Sequence, residues 1–216
     1  MHIVSIQVGQ PREVASEDGA VRTAIFKQPV VGRVQLRQHN LDGDKQGDPR
    51  VHGGPDKAVY VYPVEHYDYW RARLPGTNLP PGAFGENLTI SGLREDEVHV
   101  GDRFRIGEAE VRVTEPRIPC VKLGIRLSRP DIIKPFLASR RTGWYLGVTR
   151  EGEIGAGDAI ERLSTNPEAI TIKEIVALYA SKRPDPDLLR RAVATKGLPA
   201  RWHDRFQHRL DHLTPR

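Results

Sequence analysis

Short apolar runs separated by turn-forming residues dominate the first three quarters of the chain, and they predict a β-rich body. The expected strands are Ile3–Val8, Val30–Leu36, Ala58–Tyr62, Asn87–Ile90, Phe104–Ile106, Glu110–Thr114 and Tyr145–Thr149. Several alternate apolar and polar residues in the manner of a half-buried strand, as in Val111-Arg112-Val113-Thr114. Asp42-Gly43-Asp44, Gly53-Gly54-Pro55, Val100-Gly101-Asp102 and Ala156-Gly157-Asp158 punctuate them. Many short strands with regular turns point to a barrel or sandwich. One helix interrupts the pattern: Pro63 suits its first turn, Glu65 suits its positive end, and Tyr67, Trp70 and Leu74 share a face. His66 is expected on the outer surface of that helix.

After Leu163 the period becomes helical. Thr171-Ile172-Lys173-Glu174 is a capping box ahead of Ile172, Ile175, Val176 and Tyr179. A second helix is expected from about Asp187 to Lys196 with Gly197 as its stop. A third opens at Pro199, with Trp202, Phe206, Leu210 and Leu213 on one stripe. The expected fold is therefore mainly β, with a few helices, over residues 1–164, and a small three-helix domain over residues 165–216 (α+β overall). Three short helices are too few to be comfortable alone, so their apolar faces should pack on each other and on the β body or a second subunit.

The composition, 38% hydrophobic and 28% charged, excludes wholesale disorder. No apolar run approaches the ~20 residues of a membrane helix. The start, Met1-His2-Ile3-Val4-Ser5-Ile6, reads as a strand and not as a signal peptide, which makes the cytoplasm the expected location. The net charge is +5, and most of the excess falls after Ser164, where 10 basic residues face 6 acidic ones. Acids are interspersed among those bases, so a solvated helical surface is expected there and nucleic acid is not an expected partner. One cysteine, Cys120, rules out an internal disulfide.

Four stretches could carry chemistry. Glu115-Pro116-Arg117-Ile118-Pro119-Cys120-Val121-Lys122-Leu123 follows a predicted strand, and its two prolines make a rigid, non-helical loop. It presents a thiol near Arg117 and Lys122, and the thiolate is the form that binds metals. The plain alternative is a structured turn around a buried cysteine. Gly43-Asp44 followed by Arg50 and His52-Gly53-Gly54-Pro55-Asp56-Lys57 offers paired glycines and mixed charge, suited to an anion or heterocycle pocket or simply to a solvated turn. Pro81-Gly82-Ala83-Phe84-Gly85-Glu86-Asn87 resembles the edge of a binding loop, and the Asn87 amide could pair with a heterocycle. Ser139-Arg140-Arg141-Thr142-Gly143 is a basic turn whose guanidinium could grip a phosphate. The zinc-protease, nucleophile-elbow and phosphate-loop motifs are all absent.

Taken together these stretches resemble the MOSC family, named after the C-terminal domain of molybdenum-cofactor sulfurase, and within it the YiiM-type subgroup with a carboxy-terminal helical domain. The likeness runs through Lys27-Gln28-Pro29-Val30, Gly43-Asp44, His52-Gly53-Gly54-Pro55-Asp56-Lys57-Ala58-Val59 and Pro63-x-Glu65-His66-Tyr67-x-x-Trp70. It continues in Gly82-x-Phe84-Gly85-Glu86-Asn87-Leu88, Gly101-Asp102, Pro116-Arg117-x-Pro119-Cys120-x-Lys122, Gly143-Trp144-Tyr145 and Ala156-Gly157-Asp158. The resemblance implies a β-barrel and a pterin molybdenum cofactor (molybdopterin) in a basic cleft. It also implies Cys120 as both molybdenum ligand and catalytic residue. Lys27, Asp44, Arg50, His52, Lys57, Asn87, Arg117 and Arg141 would line the cofactor pocket, with Asp44 orienting a basic partner. The stretch Arg140-Arg141-Thr142-Gly143 departs from the family pattern, in which a small residue and glycine come earlier.

The implied activity is reduction of N-hydroxylated compounds such as hydroxylaminopurine-type base analogues. A cofactor or sulfur carrier without small-molecule turnover is the alternative. The same likeness brings an association with pyridoxal phosphate binding, and a homodimer is compatible with it. The chain has no cysteine cluster for an iron–sulfur centre and no dinucleotide fingerprint, so electrons are expected from a separate reductase.

Overall fold

The computed structural model describes residues 1–16, 19–47 and 53–213. Eight strands form one sheet in the order β12 (Ile160–Ser164), β8 (Arg103–Ile106), β9 (Ala109–Pro116), β10 (Trp144–Arg150), β6 (Val59–Pro63), β7 (Leu88–Ser91), β1 (His2–Val8) and β4 (Gln28–Pro29). All neighbours run antiparallel except β6 and β7. The carboxyl half of β1 pairs with β4, while its amino half meets the run ahead of β12. Ile3 N donates to Asp158 O at 3.0 Å, Gly157 N to Ile3 O at 2.8 Å, and Ile160 N to Met1 O at 3.0 Å. The two ends of the sheet therefore join, closing the barrel and covering its edges. A second pair, β5 (Arg33–Leu36) and β11 (Gly152–Gly155), lies beside it. A hairpin, β2 (Arg12–Ser16) and β3 (Gly19–Thr23), leads into the segment that borders the cleft described below.

The predicted strand Val30–Leu36 is two strands in two sheets. Gly32, at φ 84°, turns the chain between them and leaves Val31 98% exposed. The β2–β3 hairpin has no buried face on most of its length, so no apolar alternation announced it. The predicted helix is α1 (His66–Arg73). His66 is buried and not on its surface, because its Nε2 lies 2.7 Å from the buried Glu95 Oε2. Two further helices, α2 (Val121–Leu127) and α3 (Ile133–Ser139), follow Cys120. Gly124 and Pro135 disguised them in the sequence: the glycine sits in close contact with Arg129 and Pro130, and the proline falls in a first turn, where it is tolerated.

Strand β6 is buried on both faces, and its alternation sorts two cores. Val59 and Val61 join the apolar barrel interior, while Tyr60 and Tyr62 join an outer layer of Tyr67, Trp70, Phe84 and Phe136 under α1 and α3. The carboxy-terminal helices α4 (Ile172–Ala180), α5 (Pro186–Ala194) and α6 (Ala200–Asp211) pack their stripe, Ile175, Leu189, Trp202 and Phe206, onto the barrel core as one continuous cluster. Both hydrogen bonds of the predicted Thr171–Glu174 capping box are present. Leu213, placed on that stripe by its spacing, is instead exposed. Among the described residues no helix is long and apolar enough to cross a membrane.

Glu86 is a fully buried carboxyl within the outer layer. It accepts from Gly82 N at 2.8 Å, Thr89 Oγ1 at 3.0 Å, Phe84 N at 3.1 Å and the Tyr67 hydroxyl. Burial nevertheless dominates and raises its pKa above the ordinary carboxyl value, against the pull of those donors. A folded-state pKa above the unfolded one gives stability that is complete below the unfolded value and lost as pH rises through the folded one. The Glu86→Gln protein lacks this titration. The stability difference, wild type minus variant, should therefore be largest in acid and shrink as pH climbs above about 4.3. Urea melts of both proteins from about pH 4 upward measure it, and a difference that grew with pH would contradict the assignment.

Candidate functional site

An open cleft of about 640 Å³ lies on the barrel flank between the β2–β3 side, the turn after Leu41 and the loop that carries Cys120. Its floor comes from β6 and β10. The rings of Tyr60 and Tyr145 meet there at 5.4 Å, and the Tyr60 hydroxyl donates to Thr142 O at 2.8 Å. Burial raises the Tyr60 pKa well above the ordinary phenol value, and pushes Tyr145 up to about 12 against the Arg117 charge. Both are neutral phenols at physiological pH.

One wall is organised around Asp44, which a turn with Gly43 at φ 85° brings inward. Asp44 Oδ1 accepts from Gly9 N at 2.7 Å and from Lys27 Nζ, and its Oδ2 accepts from Asn87 Nδ2 at 2.9 Å. Lys27 is 9% exposed. Desolvation lowers its pKa, and Asp44 works against that shift. The Asn87 amide is committed to the protein: Oδ1 accepts from Tyr60 N at 3.1 Å, and Nδ2 also reaches Gln7 O at 3.2 Å. It braces the wall where the sequence reading had its edge offered to a heterocycle.

The other wall is the end of β9 and the proline-flanked loop. Arg117 N donates to Gly143 O at 3.2 Å, and its guanidinium lies over the rings of Tyr60 and Phe136 at 5.7 and 5.9 Å. Arg117 is 5% exposed, lines the cleft, and its buried Nη1 has no hydrogen-bond partner. A buried donor left unpaired costs roughly 1–3 kcal/mol, so this nitrogen marks a place that an anionic or carbonyl oxygen would fill. Cys120 is partly exposed and stands at the N-cap of α2, its side chain making no cap hydrogen bond. The loop is rigid and non-helical only as far as this residue, and Lys122 reaches the cleft from the helix itself.

The three-helix domain supports this wall from behind. Glu115, 1% exposed, accepts from Arg201 Nε and Trp202 Nε1 on α6, both at 2.7 Å, and its other oxygen lies 3.9 Å from Lys57 Nζ. Burial raises the Glu115 pKa despite the cations Arg201 and Lys57. Desolvation and the nearby Arg201 lower the pKa of Lys57, which projects into the cleft.

Lys27, Asp44, Lys57, Asn87, Arg117 and Cys120 thus line one cleft. Arg50 and His52 lie outside the described residues. Arg141 is not brought to the cleft. The chain leaves α3 through Arg140 in a left-handed conformation, and the Arg141 guanidinium then donates to Ser139 O at 3.2 Å and stacks over Tyr69 at 4.0 Å, in a separate hollow. Sequence reasoning missed Tyr60, Tyr145 and Glu115. Tyr60 had a signal, since the alternation Val59-Tyr60-Val61-Tyr62 puts it on the face opposite the valines. Glu115 had none, because its partners lie 86 and 87 residues away.

Chemically the cleft offers one soft thiol and an excess of cations, with its carboxylate Asp44 already spent on Lys27. Among the described residues no group of three or more His, Cys, Asp or Glu could hold a metal ion. A metal bound through one thiolate would have to bring most of its ligands with it, and its anionic parts would meet Arg117, Lys57 and Lys122.

The MOSC domain model matches residues 48–161, and the model of the YiiM-like, 3-alpha helix domain matches residues 170–213. The chain is 35% identical to YflK of Bacillus subtilis over 99% of its own length and 96% of that protein, and 36% identical to YiiM of Escherichia coli over 87% and 84%. A Gibberella moniliformis protein named "Reductase" is 35% identical over 67% of this chain, which spans only 26% of that longer protein. The crystal structure of YiiM from Geobacillus stearothermophilus superposes with a TM-score of 0.80 at 34% identity, covering 97% of this chain and 98% of that one. This chain therefore belongs to the MOSC family, in the YiiM-like branch whose barrel carries a three-helix carboxy-terminal domain.

Proposed function

We propose that the protein is a molybdenum-cofactor-dependent oxidoreductase that reduces N-hydroxylated compounds, with Cys120 as the metal ligand. One observation carries this reading most: the unpartnered, buried guanidinium nitrogen of Arg117 in the same cleft as a partly exposed thiol. The fit is chemical. A soft thiolate suits molybdenum, and the phosphate and polar pterin of the cofactor suit Arg117, Lys57 and Lys122. When bound, the cofactor would supply the two-electron chemistry.

The chain's own residues bind, orient and supply protons. Reduction of an N–OH group takes two electrons and two protons and releases water, so the cleft needs proton donors. Lys57, its pKa lowered by burial, gives up a proton more readily than a free lysine. Tyr60 and Tyr145, as neutral phenols, form an aromatic floor against which a purine-like base can stack. Lys27, Asp44 and Asn87 hold one wall rigid from four chain segments. Electrons come from a separate reductase. The name of the fungal relative supports an oxidoreductase role in general.

Protein purified from a molybdate-replete host and from a host unable to make the cofactor tests this. The first is expected to carry molybdenum and to reduce N-hydroxylaminopurine with a chemical electron donor, and the second to do neither. Equal reduction by both preparations would end the proposal.

A further inference from the structure

The basic turn that the cleft does not use lies over a second hollow of about 610 Å³, between α1, α3 and the start of α4. Arg140 and Arg141 both line it, and among the described residues neither has a carboxylate within ion-pair distance. Three acids share the lining: Glu65 accepts from Ser91 Oγ and Gly92 N, Glu95 from Gly143 N and His66, and Asp96 from Lys173. Arg94, Arg140, Arg141 and Lys173 outnumber them by one, and the two adjacent guanidiniums carry no ion pair among the described residues.

Their setting favours an anion. The first turns of α1 and α4 contribute His66 and Lys173 to the lining. The end of α3 also faces the hollow, and there the Arg141 guanidinium already covers the Ser139 carbonyl at 3.2 Å. Arg141 is further fixed by stacking on Tyr69, so little rotamer freedom remains to be lost on binding. Arg140 adopts φ 56°, a left-handed position that glycine occupies at least cost.

We propose that this hollow is a second binding site, separate from the Cys120 cleft, for a phosphoryl group gripped by Arg140 and Arg141. The ligand is inorganic phosphate or the phosphate of a small phosphomonoester, since both present the same oxygens to a guanidinium pair. The site meets the cleft at one residue: Gly143 N donates to Glu95 in the hollow, and Gly143 O accepts from Arg117 N in the cleft wall.

Calorimetric titration with inorganic phosphate, and separately with adenosine monophosphate, at low ionic strength tests the assignment. Wild type is compared with Arg140→Gly, Arg141→Ala and, as a charge-matched surface control, Arg183→Ala, which lies in neither the hollow nor the cleft. Each hollow variant is expected to weaken phosphate binding about tenfold, the usual loss of one charged hydrogen-bonding partner. Arg183→Ala is expected to leave this binding unchanged. Arg140→Gly should melt no lower than wild type, because glycine relieves the left-handed strain, so its lost binding cannot be ascribed to unfolding. A tighter fit for the monophosphate identifies a phosphomonoester ligand, and equal affinities identify free phosphate. Phosphate binding that persists at wild-type strength in both hollow variants, or that falls as far in Arg183→Ala, overturns the proposal.

Discussion

Cys120→Ser is expected to lose molybdenum and N-hydroxy reduction together while folding at least as well as wild type. The position of the thiol decides this outcome. It is partly exposed and makes no cap hydrogen bond, so removing sulfur opens no cavity in a sealed core. It also occupies the N-cap of α2, a position at which serine is preferred and gains roughly 0.5–1 kcal/mol over residues that cannot cap. The hydroxyl, however, is neither soft nor ionised near neutral pH, so it cannot replace a thiolate toward molybdenum. Changing a group that merely orients a metal ligand costs about 10–100-fold in metal affinity or activity, and loss of the ligand itself should cost at least about 100-fold. Metal analysis and activity assays beside a thermal melt read all three quantities. A variant that kept full activity would remove the metal-ligand role, and one that lost metal only because it unfolded would show it in the melt.

How far these features were legible beforehand depended on the range over which each is determined. The Thr171–Glu174 cap, the alternation in β6 and β9, and the stripe of Trp202 and Phe206 are local, and each appears where its spacing placed it. The strand break at Gly32 hangs on one dihedral angle, which β-prone neighbours concealed. The cleft residues were found one motif at a time, but nothing in the sequence says that Asp44 reaches Lys27 and Asn87 at once. Those contacts span 17 and 43 residues and exist only when the barrel closes. Arg141 shows the opposite failure. It was expected among the cleft residues, yet its direction is set by the left-handed exit of Arg140, which no residue type there advertises. His66 was misplaced for the same reason, because the carboxylate that draws it inward comes from Glu95, 29 residues on.

Removal of the Asp44 carboxylate is expected to be the costliest single change in the cleft walls. Asp44→Ala strips Lys27 of its ion-pair partner while Lys27 stays buried, and it leaves Gly9 N without an acceptor and Asn87 Nδ2 with Gln7 O alone. Breaking a buried pair from one side typically costs about 3–5 kcal/mol, because the remaining charge is uncompensated. The double variant Lys27→Met/Asp44→Leu removes both charges and should be more stable than Asp44→Ala alone, a coupling that a double-mutant cycle reads directly. The pH dependence fixes the cause. Without Asp44 only the Glu86 charge opposes the desolvation that already lowers the Lys27 pKa, so its folded-state value falls further below the unfolded one of about 10.4. Between the two values the unfolded chain binds more protons, so stability rises with pH. The Asp44→Ala deficit should therefore be greatest near neutral pH and shrink as the solution becomes alkaline and Lys27 loses its charge. A deficit that stayed constant with pH would mean that the lost hydrogen bonds to Gly9 and Asn87, and not the stranded ammonium, account for the damage.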